Sequence, residues 1–478
     1  MRTSLHAIAA LALTAATPAA AQPNLQAQVE AKLAEAKPGT RFGLVVLDAE
    51  GRRLVSVNSE QRFIPASNTK MFTTAAAYLA FDGMEEPDAW GGAAVRIDGK
   101  DVVLIGNGDA RLSSAADCVE NCLASLADAV AAKTRSVRHV TGDDSLFPDE
   151  RWSPGMSWNN IETRSGTGIS ALSLDNNEAV VMVSPGAVGA DALVGPSYYR
   201  IDNRVRTVAS GVTSIGYDRM PGSDVLRLRG TIVAGAEPQV IRAGIDDPAH
   251  YAATRMKQLL EARGVRVTGD VEVRHRPLGP ADDPVGRGAA PAMRPVQDKW
   301  IARLIPPPLG SDIAEINKVS QNMHAELLLR RIGRVSGTGS IADGQQAVQA
   351  MLSEAGVPRT AYDFSDGSGM STYNRVSPTG MTTFLRWVER QPWGAAYRAS
   401  LPVGGSDGTL KNRFKDGPLT GKVHAKTGTI NATNALSGWM TAKSGQTLTF
   451  AFFANDVPEG GSATAVMDAA LTLIAEAH

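Results

Sequence analysis

The chain has 478 residues, too many for one small core and enough for two or three domains. Its 48 Lys+Arg against 49 Asp+Glu leave a net charge of -1, and aromatics make up 5%. That excludes a broad basic field for nucleic acid or an anionic membrane, and it argues against aromatic platforms for bases.

Residues 1–21 read as a secretory signal. Arg2 supplies the positive start, residues 5–16 the apolar run, and Ala19-Ala20-Ala21 the cleavage site before Gln22. The mature chain is therefore expected across the inner membrane, in the periplasm. No transmembrane anchor is expected, since no later stretch approaches the roughly 18 uninterrupted apolar residues of a span. A helix is predicted over 26–36, ending at Pro38-Gly39, and the apolar runs 41–48 and 52–57 around Ala49-Glu50-Gly51 read as a hairpin. The next helix starts near Ser67 and runs to about Ala80.

Between about 85 and 300 the texture changes to short strand-like runs (102–105, 179–183, 225–228, 269–273) with one clear helix, 248–263. Helices return over 313–332, 341–355 and 379–390, strands over 435–440 and 447–453, and a helix closes the chain. The pattern predicts an α+β fold: an antiparallel sheet flanked by helices, interrupted by a large β-rich insertion. The divisions are 22–85 and 300–478 for the two parts of the sheet domain and 86–299 for the insertion. Cys118 and Cys122 are the only cysteines; whether they are bonded stays open, and the loop they would close is short. The seven histidines are scattered without metal-ligand spacing, so no metal or organic cofactor is expected.

Three short motifs can carry chemistry. Ser67-Asn68-Thr69-Lys70 is S-x-x-K at a helix start. Its i, i+3 spacing puts both side chains on one face, the helix N-terminus favours developing negative charge, and a buried lysine can serve as base. About one such match is expected by chance in a chain of this length, and the plain reading is a capping serine beside an exposed lysine. Ser320-Gln321-Asn322 is S-x-N in a helix-like run: a second hydroxyl to relay a proton and an amide to hold Lys70, or merely a polar helix start. Lys426-Thr427-Gly428-Thr429 is K-T-G on a strand. Its lysine and threonine can bind a carboxylate, and its glycine lets a substrate approach. The Thr429 N–H can join that of Ser67 in an oxyanion hole. The plain reading is a polar edge strand.

The trio in this order is far more specific than any member, being the S-x-x-K, S-D-N, K-T-G signature of penicillin-binding proteins and class A β-lactamases, here with S-Q-N. The chain resembles the D-alanyl-D-alanine carboxypeptidase/endopeptidases of the low-molecular-mass class C penicillin-binding proteins over nearly its whole mature length. Further similar blocks are Ile316-Asn317-Lys318-Val319, Asp366-Gly367-Ser368-Gly369-Met370-Ser371, Leu401-Pro402-Val403-Gly404-Gly405 through Leu410, Gly106-Asn107-Gly108-Asp109 and Asp143-Asp144-Ser145-Leu146-Phe147. The long gap between Ser67 and Ser320 matches the family's habit of inserting domains there. The resemblance implies Ser67 as acylated nucleophile and Lys70 as its base. It implies Ser320 and Asn322 in the proton relay, and Lys426 and Thr427, with Gly428 and Thr429, binding substrate. Its implied partners are peptidoglycan stem peptides and, as covalent inhibitors, β-lactam antibiotics. One departure stands out: Thr372 follows the Asp366–Ser371 block where the family often has an arginine for a diaminopimelate carboxylate, and Arg375 lies three positions on. Asp143 is a candidate for that residue's amino group, or a turn carboxylate.

Three alternatives compete. Gly404-Gly405-Ser406-Asp407-Gly408 matches the G-x-S-x-G elbow of esterases, but a strand before it and a helix after it are not expected. A β-lactamase would share the trio and need an efficient base for deacylation. A non-catalytic peptidoglycan-binding module would use the same fold without turnover.

Overall fold

A computed structural model describes residues 24–288 and 299–478; the secretory segment expected over 1–21 lies outside the described residues. Five antiparallel strands form the central sheet in the order Val423–Ile430, Thr433–Thr441, Thr447–Asn455, Arg41–Leu47, Arg53–Val57. The strand Thr447–Asn455 explains why helices cover both faces. Phe450 and Phe452 enter one core with Val29, Leu33 and Leu471, from helices Leu25–Leu33 and Thr464–Ala477. Ala451 and Phe453 enter the other with Phe72 and Phe384, from helices Lys70–Ala80 and Pro378–Val388. The period-2 alternation of a strand thus feeds two apolar layers, and the expected α+β architecture is present.

Between Ala80 and Leu309 the chain builds a second five-stranded sheet, ordered Val271–Arg274, Val140–Asp143, Asp101–Ile105, Ala94–Asp98, Ala302–Arg303. Its first three strands are parallel, so they need crossovers. Helices Leu123–Ala131 and Pro248–Ala262 supply them, packing Leu126, Val130, Ala252 and Met256 on Val95, Leu104 and Val140. The sequence predicts no helix over Leu123–Ala131: its nine residues are fewer than the roughly eleven over which helical periodicity can be counted. The described residues of the excursion also hold two three-stranded sheets, Ser214–Asp218 with Val225–Val233 and Arg200–Val208, and Gln239–Gly244 with Glu178–Ser184 and Leu193–Val194, and the short pair Ser136–Val137 with Arg266–Val267. Cys118 and Cys122 are bonded, ahead of the short helix.

The one long helix predicted over 313–332 is two. Leu309–Lys318 and Asn322–Ser336 are separated by a turn in which Ser320 has φ of +66°. No helix among the described residues is long and apolar enough to cross a membrane.

Candidate active site

Ser67 lies in the 3-10 turn Ala66–Thr69, which runs directly into helix Lys70–Ala80. Ala66 before it has φ of +47°, a left-handed conformation that a non-glycine residue holds only when its surroundings insist. One constraint is the Asp366–Ser371 loop: a Cβ on Gly369 would sit 1.9 Å from the Ala66 carbonyl oxygen and 2.9 Å from the Ser67 nitrogen, so only glycine lets that loop pass behind the serine.

Lys70 is wholly buried. Its Nζ is 3.0 Å from Ser67 Oγ, 2.6 Å from Asn322 Oδ1 and 2.5 Å from the Ser368 carbonyl oxygen. Burial drives its ammonium down to about 7, against the pull of Asp366 and Glu326 beneath it. Asp366 is itself held above the usual carboxylate range, by burial first and by Glu326 second. It accepts from Asn374 Nδ2 (2.6 Å) and from the Gly369 and Ser371 N–H groups. Glu326 pairs with Arg330 (3.0 Å) and accepts from the Gly367 and Ser368 N–H groups (3.0 and 2.9 Å). The two carboxylates therefore shape the loop whose Ser368 carbonyl faces Lys70.

Gln321, between Ser320 and Asn322, caps the second helix by accepting from the Met323 N–H. The break swings Ser320 toward the third motif: Lys426 Nζ donates to Ser320 Oγ at 2.9 Å and to the Thr427 carbonyl at 3.1 Å. Lys426 is also wholly buried, and desolvation, then the charge of Lys70, hold its ammonium well below the ordinary lysine range. Its strand, Val423–Ile430, is at the edge of the central sheet. Asn68 Nδ2 donates to the Lys426 carbonyl (2.9 Å), tying the edge strand to the Ala66–Thr69 turn. Gly428 sits where a Cβ would lie 2.6 Å from the Pro65 carbonyl and 3.1 Å from the Ser67 nitrogen. Thr427 Oγ1 donates to Thr409 Oγ1 (2.7 Å), and Thr429, exposed, lies opposite Asn434.

All eight residues singled out in the three motifs thus gather around one cleft. Residues outside the motifs complete it. Asn322 Nδ2 donates to the Ser165 carbonyl (2.9 Å), from the excursion between the two halves of the sheet. A narrow cavity beside Asn322 and Ser368 is walled by Trp152, Ser153, Met156 and Ser165 of that same stretch. Glu326 could have been found, because it is four residues past Asn322 on one helix and shares its face. Ser165 carries no such signal.

Other sequence candidates lie differently. Thr372 is exposed and spends its N–H and hydroxyl on the Gly155 carbonyl (3.0 and 3.2 Å), while Arg375 is turned onto the Thr372 and Asn374 carbonyls. Asp143 is buried, pairs with Arg274 (2.9 Å) and accepts from Ser145, which is the turn-carboxylate arrangement. Ser406 lies in an exposed turn followed by the three-residue 3-10 helix Gly408–Leu410, with no strand leading into it, so the esterase elbow is absent.

A hydroxyl beside a buried amine of lowered basicity, a second amine–hydroxyl pair across the cleft and an edge strand can together perform acyl transfer. Comparison with known proteins points the same way. Residues 25–476 match the D-Ala-D-Ala carboxypeptidase 3 (S13) family. The chain is similar to the D-alanyl-D-alanine carboxypeptidase of Actinomadura sp. (strain R39), at 32% identity over 98% of this chain and 88% of that one. It is similar to D-alanyl-D-alanine carboxypeptidase DacB of Haemophilus influenzae, at 23% identity over 88% and 87%. The crystal structure of penicillin binding protein 4 (dacB) from Haemophilus influenzae shares the fold, with a TM-score of 0.77 at 20% identity, covering 93% of this chain and 98% of that one.

Proposed function

This chain belongs to the D-Ala-D-Ala carboxypeptidase 3 (S13) family and is a serine-type D-alanyl-D-alanine carboxypeptidase, and we propose that it works through an acyl-enzyme on Ser67. The observation carrying the proposal is the convergence of Lys70 Nζ on Ser67 Oγ at 3.0 Å inside a buried pocket.

Neutral Lys70 keeps two N–H groups for Asn322 Oδ1 and the Ser368 carbonyl, which turns its lone pair to the Ser67 hydroxyl. It takes that proton as Ser67 Oγ attacks the carbonyl of the penultimate D-alanine. The oxyanion lies between the N–H groups of Ser67 and Thr429. The C–N bond breaks as the proton held by Lys70 passes by way of the Ser320 hydroxyl, which Lys426 contacts, to the departing nitrogen, leaving Lys70 neutral and Ser320 a hydroxyl again. Water then attacks the ester, Lys70 accepts its proton, and that proton returns to Ser67 Oγ as the ester C–O bond breaks. Lys426 and Thr427 hold the carboxylate beside the leaving nitrogen. The same cycle cleaves a cross-link when the departing amine belongs to another stem peptide, so endopeptidase activity is included. Peptidoglycan stem peptides in the periplasm are the substrates. β-Lactams acylate Ser67 covalently. Residues 22–85 and 300–478 form the catalytic unit around the insertion at 86–299.

The test is a fluorescent penicillin with intact-mass detection on wild type and Ser67→Ala. A lasting adduct on wild type alone is expected. Labelling of Ser67→Ala would remove the nucleophile assignment, rapid turnover without an adduct would favour a β-lactamase, and no reaction would favour a binding module.

A further inference from the structure

Beyond Ser320 and Asn322 the cleft widens into an open groove of about 280 Å³. One wall is the turn between the two helices, with Glu315 on the helix before it. The other belongs to the excursion and carries Arg164, Glu178 and Arg242. The two arginines share a single carboxylate: Arg242 Nη1 is 2.9 Å and Arg164 Nε 3.5 Å from Glu178, which is nearly buried while both guanidinium groups remain about half exposed. Two cations on one anion leave a net positive charge facing the groove. Glu315 presents the opposite sign across it, with no cation within ion-pair distance among the described residues.

We propose that this groove is a subsite for the leaving strand of a cross-linked peptide, recognising a carboxylate beyond the one next to the departing nitrogen. The inference rests on the acyl-enzyme reading, which places Ser320 at that nitrogen. Free D-alanine ends at its own carboxylate, already met by Lys426 and Thr427, and has nothing left to enter a hollow of this size. A departing amine that belongs to a second peptide carries more chain and further carboxylates. Arg164 and Arg242 receive one of these, and Glu315 faces an N–H or ammonium of the same strand. The residues that favour a cross-linked substrate over a terminal D-alanine therefore come from the excursion, not from the three motifs.

The probes are a cross-linked stem-peptide dimer with free carboxylates on the leaving strand, the same dimer with those distal carboxylates amidated, and an uncross-linked pentapeptide. The carboxylate beside the scissile nitrogen stays free in all three. In wild type, amidation is expected to lower kcat/KM about five-fold, as for partly exposed ion pairs. In Arg164→Gln/Arg242→Gln that discrimination is expected to shrink toward one, and the ratio of dimer to pentapeptide cleavage to fall. Penicillin acylation, which involves no leaving strand, checks that the double variant keeps its centre, and the wild-type amidation contrast needs no variant at all. Equal cleavage of the two dimers by wild type would overturn the proposal. So would undiminished discrimination in the double variant, or a wild type that cuts the pentapeptide and leaves the dimer. Loss of penicillin acylation in wild type would instead overturn the acyl-enzyme reading, and the subsite with it.

Discussion

As an ammonium, Lys70 has three N–H groups and three acceptors in reach, so it holds Ser67 without activating it. Only the neutral amine has a lone pair to offer, and burial makes that form accessible by bringing Lys70 to about 7. Acylation by a fluorescent penicillin should therefore rise with pH, about ten-fold from pH 6 to a plateau near pH 8. A flat profile across that range would remove Lys70 as the base. The sign for Asp366 follows from the same charges. Its carboxylate favours the ammonium of Lys70, so Asp366→Asn should move the rising limb to lower pH, while weakening the loop that it braces through the Gly369 and Ser371 N–H groups. A shift to higher pH would mean that Asp366 acts on Lys70 chiefly through loop geometry. Little of this electrostatics was legible beforehand. The sequence pairs Ser67 with Lys70 by spacing, but the charges that tune Lys70 come from residues some 250 to 300 positions away, and spacing is silent about them.

Among the elements, the turn at Ser320 shows where periodicity misleads. Residues 313–332 keep an apolar rhythm that predicts one helix, and the two helices on either side do honour it. Yet the chain breaks at Ser320, whose φ of +66° aims its hydroxyl at Lys426 instead of along a helix face. A polar residue at a helix boundary looks the same in sequence whether it merely caps or whether it reaches across a cleft. The strands were easier to read: the alternation in 447–455 sends Phe450 and Phe452 one way and Phe453 the other, and solvent-free faces enforce it. Backbone and hydroxyl roles at Ser320 can be separated by two substitutions. Under the proposed relay, Ser320→Gly and Ser320→Ala both remove the hydroxyl that passes the proton, so peptide turnover should drop in each by about a hundred-fold or more. Glycine accepts the left-handed conformation and alanine does not, so Ser320→Ala should be the less stable by about 1 kcal/mol in denaturant titration. If Ser320→Gly kept near-wild-type turnover, the turn would matter and the hydroxyl would not.

At the scale of the whole molecule, the excursion is structurally continuous with the catalytic cleft. Ser165 takes the Asn322 amide, Ser153 Oγ donates to Glu326 (3.2 Å), Ser371 Oγ donates to the Pro154 carbonyl (2.6 Å), and Arg330 Nη2 donates to the Glu150 carbonyl (2.7 Å). The stretch 150–165 is thus a wall of the active site, although its sequence carries no motif. Contacts made by backbone carbonyls leave no residue signature, which is why the sequence outlined an inserted region and not its reach into the site. That wall is anchored on His275. Its Nδ1 is 2.9 Å from Asp144 and its Nε2 is 3.2 Å from Asp247, the cap of helix Pro248–Ala262, whose carboxylate also pairs with Arg151 Nη2 at 3.4 Å. Hydrogen bonds to Asp144 and Asp247 raise the imidazole to about 10. A group raised on folding stabilises the protein fully below its unfolded value of about 6.5 and loses that contribution as pH climbs through its folded value. Thermal stability should then decline between pH 7 and pH 10 more steeply in wild type than in His275→Gln, where the titrating charge is gone. Parallel stability curves for the two proteins would mean that His275 is not the alkaline joint of this wall, and that the contacts at Glu150, Ser153, Pro154 and Ser165 hold the excursion to the cleft.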